Sequence, residues 1–284
     1  MIDNQLRCRH RHLWSEHRSC FNEDGTLKEP KQVKQPKILL LDIETLPMSV
    51  FVWGLYKQRI SPDNVISDFV VLSWSAKWLF DSRMFSDVLT SKEAINKDDK
   101  RIVEDMWHLL DDADWVIAHN AKGFDIGKLN ARFLFYGFPP PSDYKVIDTL
   151  TVLRNKFKIS SNSLDYATKF LGLEEKGHPG FETWKSCYKG DSKALNSMLE
   201  YNENDVTILE ELYVRIRPWI SNHPNWNLYI DTTEQVCPNC GSTKLTWNGT
   251  YKTQLGEYKA FRCECGAIGR SRVNEAKGKV LVKG

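Results

Sequence analysis

The chain has 284 residues, of which 41% are apolar and 27% charged, so it has room for one large domain or two modest ones, each with a real core. Its net charge of +2 is unevenly distributed: residues 38–232 carry −6, whereas 1–37 and 233–284 carry +3 and +5. No apolar run follows the basic residues near the start and none approaches bilayer-spanning length, so we expect no signal peptide, no membrane association and a soluble, cytoplasmic protein.

Composition divides the chain into three predicted segments. Residues 1–36 form a basic arm with Cys and His that ends in a stretch rich in Lys and Pro. Residues 37–232 form the main domain, and residues 233–284 form a small Cys-containing module with a basic tail. The seven cysteines are odd in number and closely paired, which favours metal binding over disulfides.

The main domain is predicted to alternate strands and helices, which indicates an α/β fold with helices packed on a sheet. Gly137, followed closely by three prolines, should end one helix, and Ser163 and Gly172 should cap another. In chain order, strands are expected at 37–45, 69–80 and 82–89, a helix at 99–113, a strand at 114–120, a helix at 124–137, a strand at 144–150, and helices at 163–172 and 191–220.

Four acidic residues stand out within these elements. Asp42 and Glu44 are two residues apart at the end of a buried strand, so their side chains share one face of the sheet. Asp125 follows a strand and opens a helix, while Tyr201 and Asp205 share one face of the last helix. Each acid taken singly is typical of a helix cap, a turn or a solvated position. Two charged side chains beside a buried strand, however, cost free energy unless something compensates their charge, which indicates a functional role.

Carboxylates grouped in this way are typical of sites that hold two divalent cations about 3.5–4 Å apart over a phosphodiester. Hard oxygen ligands favour Mg²⁺ or Mn²⁺, and a tyrosine hydroxyl can orient the attacking water. An acidic middle segment between basic ends also favours a metal-dependent enzyme acting on nucleic acid, although a mixed surface with chance asymmetry would look similar.

Three short segments resemble the three motifs of the DEDD superfamily of 3′→5′ exonucleases. The segments are Asp42-Ile-Glu44, Asn120-Ala-Lys-Gly-Phe124-Asp125 and Tyr201-Asn-Glu-Asn-Asp205. The third looks like the tyrosine branch, because position 200 is Glu where the other branch has His. The second, together with the first, is similar to the proofreading domain of family B DNA polymerases. The resemblance covers about residues 37–220 and implies a ribonuclease H-like fold, with a mixed sheet flanked by helices.

The resemblance also implies roles for individual residues. Two Mg²⁺ or Mn²⁺ ions would be held by Asp42, Glu44, Asp125 and Asp205. Tyr201 would position the water, and Asn120, Phe124 and Thr45 would bind the 3′ end of the substrate, although core packing explains Phe124 equally well.

The function expected from these motifs is a metal-dependent exonuclease acting on single-stranded nucleic acid, with DNA favoured over RNA. A polymerase or another replication or repair protein is a candidate partner. The alternatives are an RNA exonuclease of the same fold and a non-catalytic adaptor that binds nucleic acid through its C-terminal module. The third motif disfavours an endonuclease or resolvase.

Four cysteines near the C-terminus predict a structural zinc site. Cys237-Pro-Asn-Cys240-Gly and Cys263-Glu-Cys265-Gly resemble the two knuckles of a zinc ribbon, with hairpin strands between them. The second pair departs from the usual pattern because one residue, not two, separates its cysteines. Unrelated pairs or a redox switch are the alternatives. The basic, aromatic-rich surroundings suit either nucleic acid or a protein partner.

The N-terminal arm holds a second candidate zinc site, with a spacing that matches no established pattern. Its ligands would be Cys8, His10, His12, His17 and Cys20. The alternative is a basic arm without metal. Structural roles are expected for His119, Asp148 and Asp165, and Cys187 is expected to be a plain thiol.

Overall fold

The structure, a computed structural model, describes Thr26 and residues 35–173 and 179–276. The candidate N-terminal zinc ligands Cys8, His10, His12, His17 and Cys20 lie outside the described residues.

The main domain is built on a mixed five-stranded sheet. Its strands are β1 (Ile38–Thr45), β4 (Val71–Trp78), β5 (Phe85–Val88), β6 (Trp115–Ala118) and β7 (Lys145–Asp148), in the spatial order β5-β4-β1-β6-β7. β1 runs antiparallel to β4 and parallel to β6. Two further strands, β2 (Ser49–Val50) and β3 (Val65–Ser67), lie in the chain segment that connects β1 to β4 and pair with each other as a short antiparallel ribbon.

Seven helices surround the sheet in the described part of the chain. They are α1 (Ser91–Asn96), α2 (Lys100–Asp111), α3 (Asp125–Tyr136), α4 (Thr149–Lys156), α5 (Leu164–Phe170), α6 (Phe181–Tyr188) and α7 (Ser192–Ile216). None of the helices among these residues is both long and apolar enough to cross a bilayer.

The alternation of side chains along β1 creates the two faces of the core. Leu39 and Leu41 face one cluster, which includes buried residues of α2 and α3. Ile38 and Leu40 face the other, where Leu209 of α7 packs. Asp42 and Glu44 follow Leu40 at a spacing of two, so these acids continue the face that α7 covers.

The predicted caps are largely confirmed. Gly137 closes α3 with a positive φ of 74°, which favours glycine because a Cβ would be strained there. The Ser163 side chain accepts a hydrogen bond from the Tyr166 backbone at the start of α5. The helix predicted for 191–220 ends at Ile216, because Pro218 follows in a short 3₁₀ turn.

Three short helices were not predicted. The strand expected at 144–150 ends at Asp148, whose side chain caps α4 by accepting a hydrogen bond from the Thr151 backbone. α1 begins with a capping box between Thr90 and Glu93, and α6 buries Cys187 alone. Helices this short show little periodicity, so their caps are the main signal in the sequence.

The C-terminal module is a three-stranded antiparallel sheet of β8 (Leu245–Thr253), β9 (Gly256–Cys263) and β10 (Ile268–Arg270), which confirms the predicted hairpin. It is hydrogen-bonded to the segment that follows α7. The Trp226 backbone donates to the Pro238 carbonyl at 2.9 Å, and the Asn239 side chain donates to the Arg217 carbonyl at 3.1 Å. The domain boundaries at 36/37 and 232/233 stay predictions.

Candidate metal centre

Three of the four acids singled out in the sequence meet at the end of β1. Asp42, Glu44 and Asp205 each offer a carboxylate oxygen, and these three oxygens lie within 4.8 Å of one another. All three side chains are partly buried. Residues up to 163 positions apart in the chain thus share one small volume, because α7 packs across the face of β1 that carries the acids.

Asp125 joins this cluster through the backbone of β1. β6 pairs with β1 only as far as Leu40 and Ile117, so the Ile43 amide beyond that point needs another acceptor. The Ile43 amide donates a hydrogen bond to the Oδ1 of Asp125 at 3.2 Å, and Ile43 is the residue between Asp42 and Glu44 in β1. Asp125 is 1% exposed, and its Oδ2 has no hydrogen-bond partner among the described residues. A buried, unpartnered carboxylate oxygen beside three other acids fits a metal ligand.

A tight turn between β6 and α3 places Asp125. Asn120 adopts a positive φ of 74°, and the backbone amides of Gly123 and Phe124 both bond its carbonyl. A Cβ at Gly123 would come within 2.5 Å of the Asn120 side chain, so any larger residue there would displace that side chain. Asp148 accepts from the Asn120 backbone at 3.1 Å, which matches its expected structural role.

α7 contributes two predicted residues and one that the sequence analysis missed. The Tyr201 hydroxyl is hydrogen-bonded to Asp205 one turn along the helix. Asn202 is fully buried, and its amide donates to the Oδ2 of Asp42 at 2.5 Å. The signal was available, because Met198, Asn202 and Val206 form the buried stripe of α7 and only Asn202 is polar.

Two serines were also missed. Ser73 and Ser75 of β4 lie opposite Glu44 and Asp42 in the sheet. Both are fully buried, and neither hydroxyl has a hydrogen-bond partner among the described residues. Directly opposed residues of an antiparallel pair share a face, so these hydroxyls flank the acids. Small polar residues inside an otherwise apolar strand were the only signal in the sequence.

Burial and mutual repulsion dominate the electrostatics of the cluster. Burial, followed by the charges of Asp125, Glu44 and Asp205, holds the pKa of Asp42 well above its usual range, while the Asn202 hydrogen bond opposes the shift. The same causes raise the pKa of Glu44 to about 8, and burial raises that of Asp125 to about 7. Burial and the neighbouring Asp205 also raise the pKa of the Tyr201 phenol. A bound divalent cation would offset the repulsion between these acids.

The four C-terminal cysteines form a second cluster with different chemistry. Their four Sγ atoms all lie within 4.8 Å of one another. The Cys237–Cys265 and Cys240–Cys263 sulfur pairs are 3.9 and 3.6 Å apart. Tetrahedral zinc with Zn–S bonds of about 2.3 Å separates its sulfurs by about 3.8 Å, so the cluster fits a closed zinc site.

Glycines allow the two cysteine knuckles to turn. Gly241 and Gly266, each directly after a cysteine, have positive φ of 75° and 91°. In each knuckle the glycine amide bonds the carbonyl of the first cysteine at 2.9 Å. The single residue between Cys263 and Cys265 therefore still permits a closed turn. Cys187 lies apart from this cluster, on the face of α6 that is buried in the main core.

The remaining predicted residues occupy varied positions. Phe124 is half-buried against the main core, as its alternative interpretation expects. Thr45 is partly buried at the last position of β1. His119 bonds the Thr149 hydroxyl and the Asn162 carbonyl, both at 2.9 Å, which gives it a structural role. Asp165 lies exposed in the first turn of α5, where an acid suits the helix dipole.

Comparison with known families identifies the fold. Residues 79–217 match the family model RNase_H_2, described as RNase_H superfamily. The main domain is ribonuclease H-like. The matched region contains Asp125, Tyr201 and Asp205 and begins after β1 with its two acids. Together, the match and the acidic cluster support a nuclease.

Among solved structures, the chain is similar to the family B DNA polymerase from the hyperthermophilic archaeon Pyrobaculum calidifontis, with 18% identity and a TM-score of 0.48. The similarity covers 68% of this chain and 26% of the polymerase chain. No curated protein matches the sequence.

Proposed function

We propose that the protein is a metal-dependent 3′→5′ exonuclease that hydrolyses phosphodiester bonds at single-stranded 3′ ends, with DNA preferred over RNA. The observation that carries the proposal is the convergence of Asp42, Glu44 and Asp205 within 4.8 Å, with Asp125 hydrogen-bonded to the same strand. The superfamily match and the order of the three motifs support it.

In this proposal the four carboxylates hold two Mg²⁺ or Mn²⁺ ions. When bound, such ions activate water, stabilise the charge that develops on the phosphate and assist the leaving oxygen. Asp42 is fixed by the Asn202 amide, and Asp125 is fixed by the Ile43 amide, so the ligands on β1 and α3 are held before substrate arrives. Fixed ligands reduce the reorganisation required at the reacting phosphate.

Tyr201 is proposed to position the attacking water. Its hydroxyl is anchored to Asp205, and its raised pKa keeps the phenol protonated at neutral pH. A protonated phenol can hold water by hydrogen bonding but does not act as the base. Asn120, Phe124 and Thr45 are proposed to contact the terminal nucleotide, since all three lie beside the ligand-bearing segments.

The cysteine cluster is proposed to bind one structural Zn²⁺. The module around it has little core apart from the cysteines and their neighbours, so metal binding would supply much of its stability. It also presents aromatic and basic side chains, with Arg270 3.9 Å from the centre of the Tyr258 ring and Tyr251 exposed. We propose that this surface contacts nucleic acid rather than a protein.

A digestion series tests the proposed activity. Single- and double-stranded DNA and RNA labelled at the 5′ end are incubated with Mg²⁺, Mn²⁺ or chelator. The expected result is a ladder of labelled products that shortens from the 3′ end, fastest on single-stranded DNA and absent with chelator. Immediate release of a labelled mononucleotide, or cleavage that persists in chelator, contradicts the proposal. Faster digestion of RNA supports the alternative RNA exonuclease, and binding without cleavage supports the adaptor.

A further inference from the structure

A loop of exposed aromatic residues follows the strand that carries two of the acids. Residues 51–61, called here the aromatic loop, connect β2 to a short 3₁₀ helix before β3. Trp53 is 100% exposed, Leu55 87%, Tyr56 85% and Phe51 72%. Single exposed apolar residues are ordinary, but four of them within six positions indicate an interaction surface.

The base of the aromatic loop is anchored to the domain. β2 and β3 pair through Ser49 with Ser67 and Val50 with Val65, and the Phe51 amide bonds the Asn64 carbonyl at 2.9 Å. The hydroxyls of Ser49 and Tyr188 are hydrogen-bonded at 2.5 Å, which ties the ribbon to α6. The exposed rings are therefore presented on a fixed support.

The length of the intervening chain limits how far the aromatic loop can lie from the acidic cluster. Trp53 is nine residues beyond Glu44, so the chain cannot separate them by more than about 32 Å. Phe69 follows β3 in the chain, and the Nζ of Lys128 lies 3.4 Å from the centre of the Phe69 ring and 6.0 Å from that of Phe124. Lys128 is three residues after Asp125 in α3, so the helix that carries one of the acids also presents a cation.

The composition of the loop favours nucleic acid as the occupant. Lys57 and Arg59 follow Tyr56 within three positions, although residues 38–232 carry a net charge of −6. Local cations on an acidic domain suit a phosphate backbone, and exposed rings suit unpaired bases, whose faces are free for stacking. Bases in a duplex are already stacked on their neighbours.

We propose that the aromatic loop binds the single-stranded part of the substrate by stacking Trp53 and Tyr56 on bases fewer than about ten nucleotides from the cleaved bond, counted at 3.4 Å or more per nucleotide. This inference rests on the proposed function for the position of the cleaved bond. It adds a binding surface that the three motifs do not contain. A single nucleotide ester has one base only, so it offers no further base for the loop to stack on.

Binding is tested separately from cleavage. The zinc-loaded full chain is mixed with 5′-fluorescein-dT20 without Mg²⁺ or Mn²⁺, which prevents metal-dependent hydrolysis, and the dissociation constant is measured by fluorescence anisotropy. The double variant Trp53→Ala/Tyr56→Ala is expected to bind at least tenfold more weakly than the wild type, whereas Trp53→Phe/Tyr56→Phe keeps the rings and stays within about threefold. Phe170→Ala, another exposed aromatic residue, is the matched control and is expected to bind as the wild type does.

Cleavage with Mg²⁺ then locates the effect. For dT20 the alanine variant is expected to raise KM at least tenfold, while the p-nitrophenyl ester of thymidine 5′-monophosphate is hydrolysed at the wild-type rate. Equal losses on both substrates overturn the inference, because the loop would then support the cluster itself. Unchanged binding and cleavage of dT20 overturn it as well. A wild-type protein that binds dT20 but cleaves neither substrate refutes the proposed function, and the binding measurement still decides the role of the loop.

Discussion

The acidic cluster and the cysteine cluster are both candidate metal sites, but they are built in opposite ways. The acidic site collects hard oxygen ligands from β1, α3 and α7, up to 163 positions apart in sequence. The cysteine site collects soft sulfur ligands from two local knuckles, one just before β8 and one at the turn between β9 and β10. The first depends on the whole fold for its geometry, whereas the second helps to create the fold around it.

The two sites also differ in how their ligands are satisfied. The acids of the first repel one another, and the Oδ2 of Asp125 lacks a hydrogen-bond partner in the described part of the chain. The four sulfurs of the second are already spaced for one tetrahedral ion. A cluster held in an unfavourable charge state suits catalysis, and a closed cluster suits structure.

The largest expected effect is loss of cleavage without loss of fold. Asp42→Asn and Asp125→Asn each remove a ligand charge while nearly preserving shape, so activity on single-stranded DNA should fall by roughly a thousandfold or more. Asp165→Asn, an exposed acid in α5, is the control and should leave the rate unchanged. Circular dichroism checks that the variants are folded, and a folded Asp42→Asn protein with normal activity would refute the assignment.

The second effect should be confined to the other site. Cys237→Ser is expected to lower the zinc content by one ion per chain, measured by atomic emission on purified protein. Cys187→Ala removes a buried thiol outside the cluster and should keep the zinc content of the wild type. Asp42→Asn should also keep its zinc. If Cys237→Ser retains all the zinc of the wild type, the cysteine cluster is not the metal site.

A smaller catalytic effect is expected at Tyr201. Tyr201→Phe removes the hydroxyl that is hydrogen-bonded to Asp205 but leaves every carboxylate in place. We expect kcat to fall by about tenfold to a hundredfold, with little change in the metal concentration needed for half-maximal rate. A kcat equal to that of the wild type would assign the hydroxyl a purely structural role.

The smallest effect is a dependence of stability on pH. The pKa of Glu44 is about 8 in the folded protein, above its ordinary value of 4.5, so the folded state holds the proton more tightly than the unfolded state. This contribution to stability is complete below about pH 4.5 and is lost as the pH rises through 8. In chelator, Tm should therefore fall by a few degrees between pH 5 and 9, and Mg²⁺ should restore it.

Glu44→Gln sharpens that comparison. The variant cannot carry the unfavourable charge, so in chelator at pH 9 it should melt above the wild type. With Mg²⁺ the order should reverse, since the amide is a poorer ligand. A Tm of the variant below that of the wild type in chelator would contradict the electrostatic account of the cluster.

The periodicity of short segments predicted which acids share a face, because the direction of neighbouring side chains depends only on the local strand or helix. Alternation along β1 predicted that Asp42 and Glu44 share one face of that strand. Helical spacing predicted that Tyr201 and Asp205 share one face of α7. Asn202, Ser73 and Ser75 were missed, because a polar residue in a buried pattern does not show which acid it faces. That depends on how distant segments align. The hydrogen bond from Ile43 to Asp125 arises in the same way, from the point at which β6 leaves β1.

The most direct test of the acidic site is its capacity for divalent metal. Mn²⁺ binding to the zinc-loaded wild type and to Asp42→Asn can be counted by electron paramagnetic resonance in the presence of a thymidine 5′-monophosphate product. The account predicts two bound Mn²⁺ ions in the wild type and at most one in Asp42→Asn, with unchanged zinc in both. Equal Mn²⁺ binding by the two proteins would contradict it.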